Sequence, residues 1–208
     1  MKSETVVNAS RVLFRAVEIL AAALGLVLLF SITSLSQEAV LELDPAQTQI
    51  QFTLGATFHT VHGTFKLKRG TIRYNPNDGK ASGLVVVDVT SGESGNDGRD
   101  LKMHKDVLQS SKYPEATFAP AQIRGGLDPK VDSQIEIQGV FNLLGGHHDL
   151  TLTFRVHKAG DHLTASTHFV IPYQQWGLKN PSTLFLRVSD KVNIDIQAVG
   201  RLTWPAGH

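Results

Sequence analysis

Apolar and polar residues alternate with period two over most of the chain beyond residue 37. Successive side chains of a strand point to opposite faces, so this alternation predicts strands with one face to bury. Ile50, Phe52, Leu54, Ala56 and Phe58 share one face of the first long run, opposite Gln51, Thr53 and Thr57. Val61, Gly63, Phe65 and Leu67 follow, opposite His62, Thr64, Lys66 and Lys68. Beyond the turn-forming residues 75–79 comes an apolar run at 84–90, and a further strand begins at Ala116 and Phe118. Ile135, Ile137, Gly139, Phe141 and Leu143 keep one parity up to Gly145-Gly146, which predicts a hairpin turn. Leu150, Leu152, Phe154 and Val156 return, then Leu163, Ala165, Thr167, Phe169 and Ile171; strands at 184–188 and 192–198 complete the set.

One stretch breaks the alternation. Leu101, His104, Lys105 and Leu108 recur at three- and four-residue spacing after Asp97, which predicts a helix near 98–110 with these positions on one side and Met103 and Val107 beside them. Asp97 is placed to cap it, with Asp100 as the acidic partner of a capping box. Pro114 forbids its continuation. The sum is a mainly β domain of about eight antiparallel strands with one helix laid across it. A closed barrel and a two-sheet sandwich both satisfy the pattern. The long runs and the single available lid favour the barrel, as does the mixture of Phe with small inward residues.

The N-terminus is different in kind. Arg11 and Arg15 precede an apolar run at 19–32, followed by Ser34-Leu35-Ser36, a small-x-small cleavage pattern. This predicts that residues 1–36 are an export signal, with an uncleaved inner-membrane anchor at 12–35 as the alternative. The expected domain is 39–203, with a tail at 204–208. The whole chain has 20 Lys and Arg against 19 Asp and Glu, and removing residues 1–36 leaves seventeen of each. A neutral domain without a basic stripe argues against nucleic acid as a partner. There is no cysteine, so neither disulfides nor thiolate chemistry are available.

In a hollow barrel, the inward aromatic and aliphatic residues form the ligand surface: Phe52, Leu54, Phe58, Phe65, Phe118 and Ile137 on the earlier strands, then Phe141, Leu152, Phe154 and Phe169. Trp176, in an irregular piece at 172–181, fits either a mouth residue or a plug. Arg99, His104 and Lys105 on the helix are the candidates for holding a polar head group. Ser91–Gly98 is a glycine-rich loop leading into a helix start, a setting that suits an anion, although Glu93, Asp97 and Asp100 oppose one. Arg99 and Asp100 also read as a pair fixing the helix over the barrel end. His59 and His62 are three apart and so point to opposite sides of a strand, and neither they nor His147, His148, His157, His162 and His168 show metal-ligand spacing. No Gly-x-Ser-x-Gly elbow surrounds Ser91, Ser94 or Ser182. The reading is therefore non-catalytic, without metal or cofactor.

The order of several short motifs resembles the YceI-like family: Leu43-Asp44-Pro45 with Ile50-Gln51-Phe52, then Val61-His62-Gly63-Thr64-Phe65, Val89-Thr90-Ser91, Gly95-Asn96 with Arg99-Asp100, and Tyr113-Pro114 with Phe118. Gly139-Val140-Phe141-Asn142-Leu143 and the closing Val188-Ser189-Asp190-Lys191-Val192 extend the resemblance over about 39–202. It departs at Gly55-Ala56, where members often carry a histidine, here displaced to His59. The resemblance implies a lipocalin-like barrel, exported to the periplasm, that holds a long isoprenoid or related lipid in its lumen for carriage, storage or sequestration. The alternatives are a non-catalytic envelope structural or interaction module with a solid core and, after it, a His-based metal-binding protein. Membrane contact is expected only through the N-terminal segment if uncleaved, and homodimerisation stays open.

Overall fold

The period of two becomes nine strand segments in one sheet whose neighbours all run antiparallel. The structure, a computed structural model, describes residues 38–126, 132–184 and 186–204. The expected signal or anchor at 1–36 lies outside the described residues, as does the tail beyond Trp204. β1 (Ala39–Leu43) and β2 (Gln49–Gly55) both lie between β3 (Thr60–Tyr74) and β9 (Val192–Thr203). They are two halves of one barrel position, broken at 44–48. There the Asp44 carboxylate accepts the Ala46 amide at 2.8 Å, turning the chain locally as Asp side chains do. Hydrogen bonds from the Gln47 side chain and then the Ala46 amide hold that carboxyl below its ordinary value.

From β9 the sheet continues through β8 (His162–Ile171), β7 (Gly146–Ala159), β6 (Ser133–Leu143), β5 (Glu115–Arg124) and β4 (Ala81–Glu93), and the β3–β4 pairing closes it. Nine segments thus fill eight positions of a closed barrel, and closure removes the free edges a sandwich would leave. Because directions alternate, the connections at 56–59, 94–114, 144–145 and 172–191 gather at one end, here called the mouth. Those at 75–80 and 160–161, with residues 125–126 and 132 next to β5 and β6, lie at the other.

Three local expectations change. The β6–β7 turn is Leu144-Gly145 rather than Gly145-Gly146, since Gly146 already pairs with Leu143. Both turn residues have positive φ, 51° and 77°, the geometry that matches the twist of a two-residue hairpin. The described residues of 184–188 do not form the expected strand; among them only Val188 bridges, to Ala56, and Leu184 stands 85% exposed. The third change concerns the helix.

α1 spans Asp97–Lys102 and passes directly into a π-helical turn at Met103–Val107. Its cap is Asn96, whose side chain accepts the Arg99 amide at 2.9 Å; Asp97 falls inside the first turn instead. The widened turn is visible in the Leu108 amide reaching the Met103 carbonyl five residues back, at 2.8 Å. His104 braces it, with Nε2 2.8 Å from the Gly92 carbonyl and Nδ1 3.0 Å from the Ser110 hydroxyl. The extra residue rotates the inward face: Met103, Val107 and Leu108 look into the barrel, while Leu101 is 68% exposed.

The inner wall is built from aromatic rings lying over glycines. A methyl added at Gly63 would come 2.3 Å from the Phe52 ring, one at Gly92 2.4 Å from Phe65, and one at Gly139 2.7 Å from Phe118. Each ring therefore lies close over a glycine, in space that a side chain at that position would fill.

Candidate ligand-binding lumen

Inside the barrel is an upper chamber of about 440 Å³, open towards the mouth, and a lower one of about 140 Å³. They share Ile50, Val87, Ala116, Phe141, Phe169 and Ile196, which form a common waist. The upper chamber lies within the size range of small-molecule pockets. Both walls are overwhelmingly apolar. The lower chamber's polar side chains are Thr48, whose hydroxyl exchanges hydrogen bonds with Val199, and Tyr74, whose hydroxyl is pushed up by burial.

Phe52, Leu54 and Phe65 line the upper chamber, with the first and last in ring contact at 5.4 Å. Phe118, Ile137, Leu152 and Phe154 line the lower chamber, and Phe141 and Phe169 belong to both. Phe58 is elsewhere. β2 ends at Gly55, so the apparent alternation runs past the strand, and Phe58 stands 85% exposed on the β2–β3 connection. Trp176 lies outside the cavity lining. It stacks on His148 at 3.8 Å and meets Phe141 at 6.0 Å, cross-strand partners on one face of β6 and β7, so it braces the wall on the face that Phe141 presents to the interior.

Polar groups collect where the upper chamber opens: His59, Ser94, Asn96, Arg99 and Lys102. Of the three head-group candidates, only Arg99 is in this ring. Its Nε donates to the Ser94 hydroxyl and a terminal nitrogen donates to the Ser94 carbonyl, both at 2.7 Å. Asp100 accepts the Ser94 amide at 3.0 Å and also takes its hydroxyl. Arg99 and Asp100 thus act together through Ser94 rather than through a direct pair. Burial alone would raise the Asp100 carboxyl, but the Ser94 hydroxyl and amide, then the charges of Arg99 and His104, hold it below its ordinary value.

His104 is occupied by its bracing role and Lys105 is exposed; neither lines the cavity. Lys102 does, and its ammonium reaches the Pro181 carbonyl at 3.2 Å, tying the helix to the β8–β9 connection. Sequence periodicity missed Lys102 because it placed Leu101 inward, and the π turn moves the inward stripe. His59 and His62 do face opposite ways: His59 lines the chamber, while His62 meets the Thr53 hydroxyl on the outer side. Among the described residues no group of three metal-ligating side chains comes together.

The model of the YceI-like domain matches residues 41–200. Among solved structures, BcnA of Burkholderia cenocepacia is 18% identical with a TM-score of 0.61, covering 76% of this chain and 98% of its own. A polyisoprenoid binding domain from Saccharophagus degradans, described as implicated in plant cell wall breakdown, is 15% identical with a TM-score of 0.60, covering 78% and 98%. The YceI protein of Campylobacter jejuni is 20% identical with a TM-score of 0.53, covering 72% and 87%. No curated protein sequence matches. These structural likenesses show the barrel fold, and the match over 41–200, nearly the whole described domain, makes this chain a member of the YceI-like domain family.

Proposed function

We propose that this protein is an exported, non-catalytic binding protein that holds a long-chain amphiphile, a polyisoprenoid or related lipid, for carriage, storage or sequestration. The tail occupies the two chambers, and the head stays at the mouth beside Arg99, Lys102 and Asn96. The observation that carries this reading is a deep, apolar, two-chamber lumen whose charged groups are confined to its opening. The Saccharophagus neighbour, named for polyisoprenoid binding, supports the ligand class. The solid-core alternative loses its premise in a cavity of about 440 Å³.

The energetics agree. Each methylene removed from water contributes about 0.8 kcal/mol, so affinity rises roughly fourfold per carbon while the chain still finds wall to touch. The head group then sets orientation more than strength. A polarity-sensitive dye bound to the full chain should be displaced by isoprenoid alcohols in order of length. Each added five-carbon unit should improve displacement by roughly a hundredfold or more until the lumen is filled. A response independent of length contradicts lumen binding.

A further inference from the structure

Every large apolar side chain more than half exposed among the described residues belongs to the mouth end. These are Phe58 at 85%, Leu101 at 68% and Leu184 at 85%. They come from three different connections, and hydrogen bonds tie those connections together. The Thr57 amide donates to the Arg187 carbonyl at 2.9 Å, and the Arg187 amide returns to the Thr57 hydroxyl at 2.9 Å. Lys102, next to Leu101, holds the Pro181 carbonyl. Leu184 sits in a turn where the Thr183 amide donates to the Leu186 carbonyl at 2.8 Å. Three apolar side chains thus project from a braced rim around an apolar cavity, although nothing in the barrel's own packing requires them to be apolar.

Charge is distributed along the same axis. The mouth connections at 94–114 and 172–191 carry seven Lys or Arg against four Asp, Lys102, Lys105, Lys179 and Arg187 among the bases. The described residues of the far-end connections, 75–80, 125–126, 132 and 160–161, carry one Lys against three Asp. The domain is neutral as a whole but basic where its apolar side chains are exposed. Exposed apolar groups flanked by bases are the combination that seats a protein on an anionic bilayer.

We infer that the mouth rim docks on the surface of an anionic lipid bilayer through Phe58, Leu101 and Leu184, with the lumen opening directly over the lipid. This rests on the lipid-binding reading above and adds to it the surface from which the ligand is taken or to which it is delivered. Docking at the rim spares the apolar tail a passage through water. It is a contact separate from any made by the N-terminal segment.

The chain contains no cysteine, so single labels can be placed cleanly. Phe58→Cys, Leu101→Cys and Leu184→Cys in the full chain would each carry a polarity-sensitive fluorophore, with Asn77→Cys at the far end as control. Vesicles of phosphatidylcholine with about one third phosphatidylglycerol should shift the three mouth labels to shorter wavelength and leave the Asn77 label unchanged. Phe58→Ser with Leu184→Ser, read through the label at residue 101, should raise the lipid concentration needed for half the shift by about tenfold or more. Mouth labels that stay silent on vesicle-bound chain would assign membrane contact to the N-terminal segment and overturn the inference. So would labels that respond only to a protein partner, or to a second copy whose dimer is lost with Leu184→Ser. The chain-length displacement series on the same proteins separates the two ideas. Normal length dependence with silent labels rejects docking and spares the lumen. Shifted labels without length dependence support docking and reject the lumen.

Discussion

Replacing Ala116 by Phe is expected to abolish most ligand uptake while leaving the melting temperature unchanged or slightly raised. Ala116 is 5% exposed, and in a filled core a new ring at such a position typically destabilises by about 1–3 kcal/mol. Here its methyl faces the waist shared by both chambers, so the ring enters open space and removes its own apolar surface from water. The same ring blocks passage to the lower chamber. Keeping three or four methylenes out of it forfeits about 0.8 kcal/mol each, weakening binding by roughly a hundredfold. Thermal denaturation and dye displacement on one preparation read both effects. A large loss of stability would mean that the waist is already full.

Gly63→Val is expected to do the opposite, damaging the fold and the site together. The added Cβ would meet the Glu93 carbonyl oxygen and the Phe52 ring, each at 2.3 Å. The carbonyl belongs to the β4 backbone and cannot swing away, so the β3–β4 closure must distort. The ring can move only off the wall and into the upper chamber. A cost of about 3 kcal/mol is expected from overpacking, which lowers the melting temperature by about 5–10 °C in a domain of this size. Gly126→Ala, where an added methyl meets nothing within 4 Å, should leave stability and uptake unchanged. If Gly63→Val melts with the parent, the close packing of Phe52 over Gly63 is wrong.

The strands were legible because a half-buried strand has a strict two-residue period, and a barrel applies it from one end of the chain to the other. Phe141 and Phe169 could be placed on the inner face by counting alone. Counting failed where the backbone left the strand. Phe58 continues the parity of Phe52 and Leu54, yet the strand ends at Gly55, and Leu184 follows strand-like composition into a loop. Both errors fall at the mouth, where exposed apolar side chains imitate buried ones.

The helix shows a second limit. Its start was readable within one residue, but Asn96 won the cap over Asp97 by its extended backbone, at φ −144° and ψ 111°. The π turn was invisible because it depends on His104 reaching Gly92 and Ser110, contacts that only the folded barrel supplies. That turn decides which cations face the chamber, so Lys102 replaces His104 and Lys105 at the opening. The Gly-Phe pairs lie between these cases. Small residues among the aromatics were visible, but which ring covers which glycine depends on strand register: Phe52 opposite Gly63 is read from the β2–β3 pairing.

The most direct test is native mass spectrometry of the full chain before and after solvent extraction. The protein should show a mass excess of one long-chain lipid per chain, lost on extraction and restored by adding an isoprenoid alcohol. A protein that carries no such mass, and takes none up when the lipid is offered, would contradict lipid binding in the lumen.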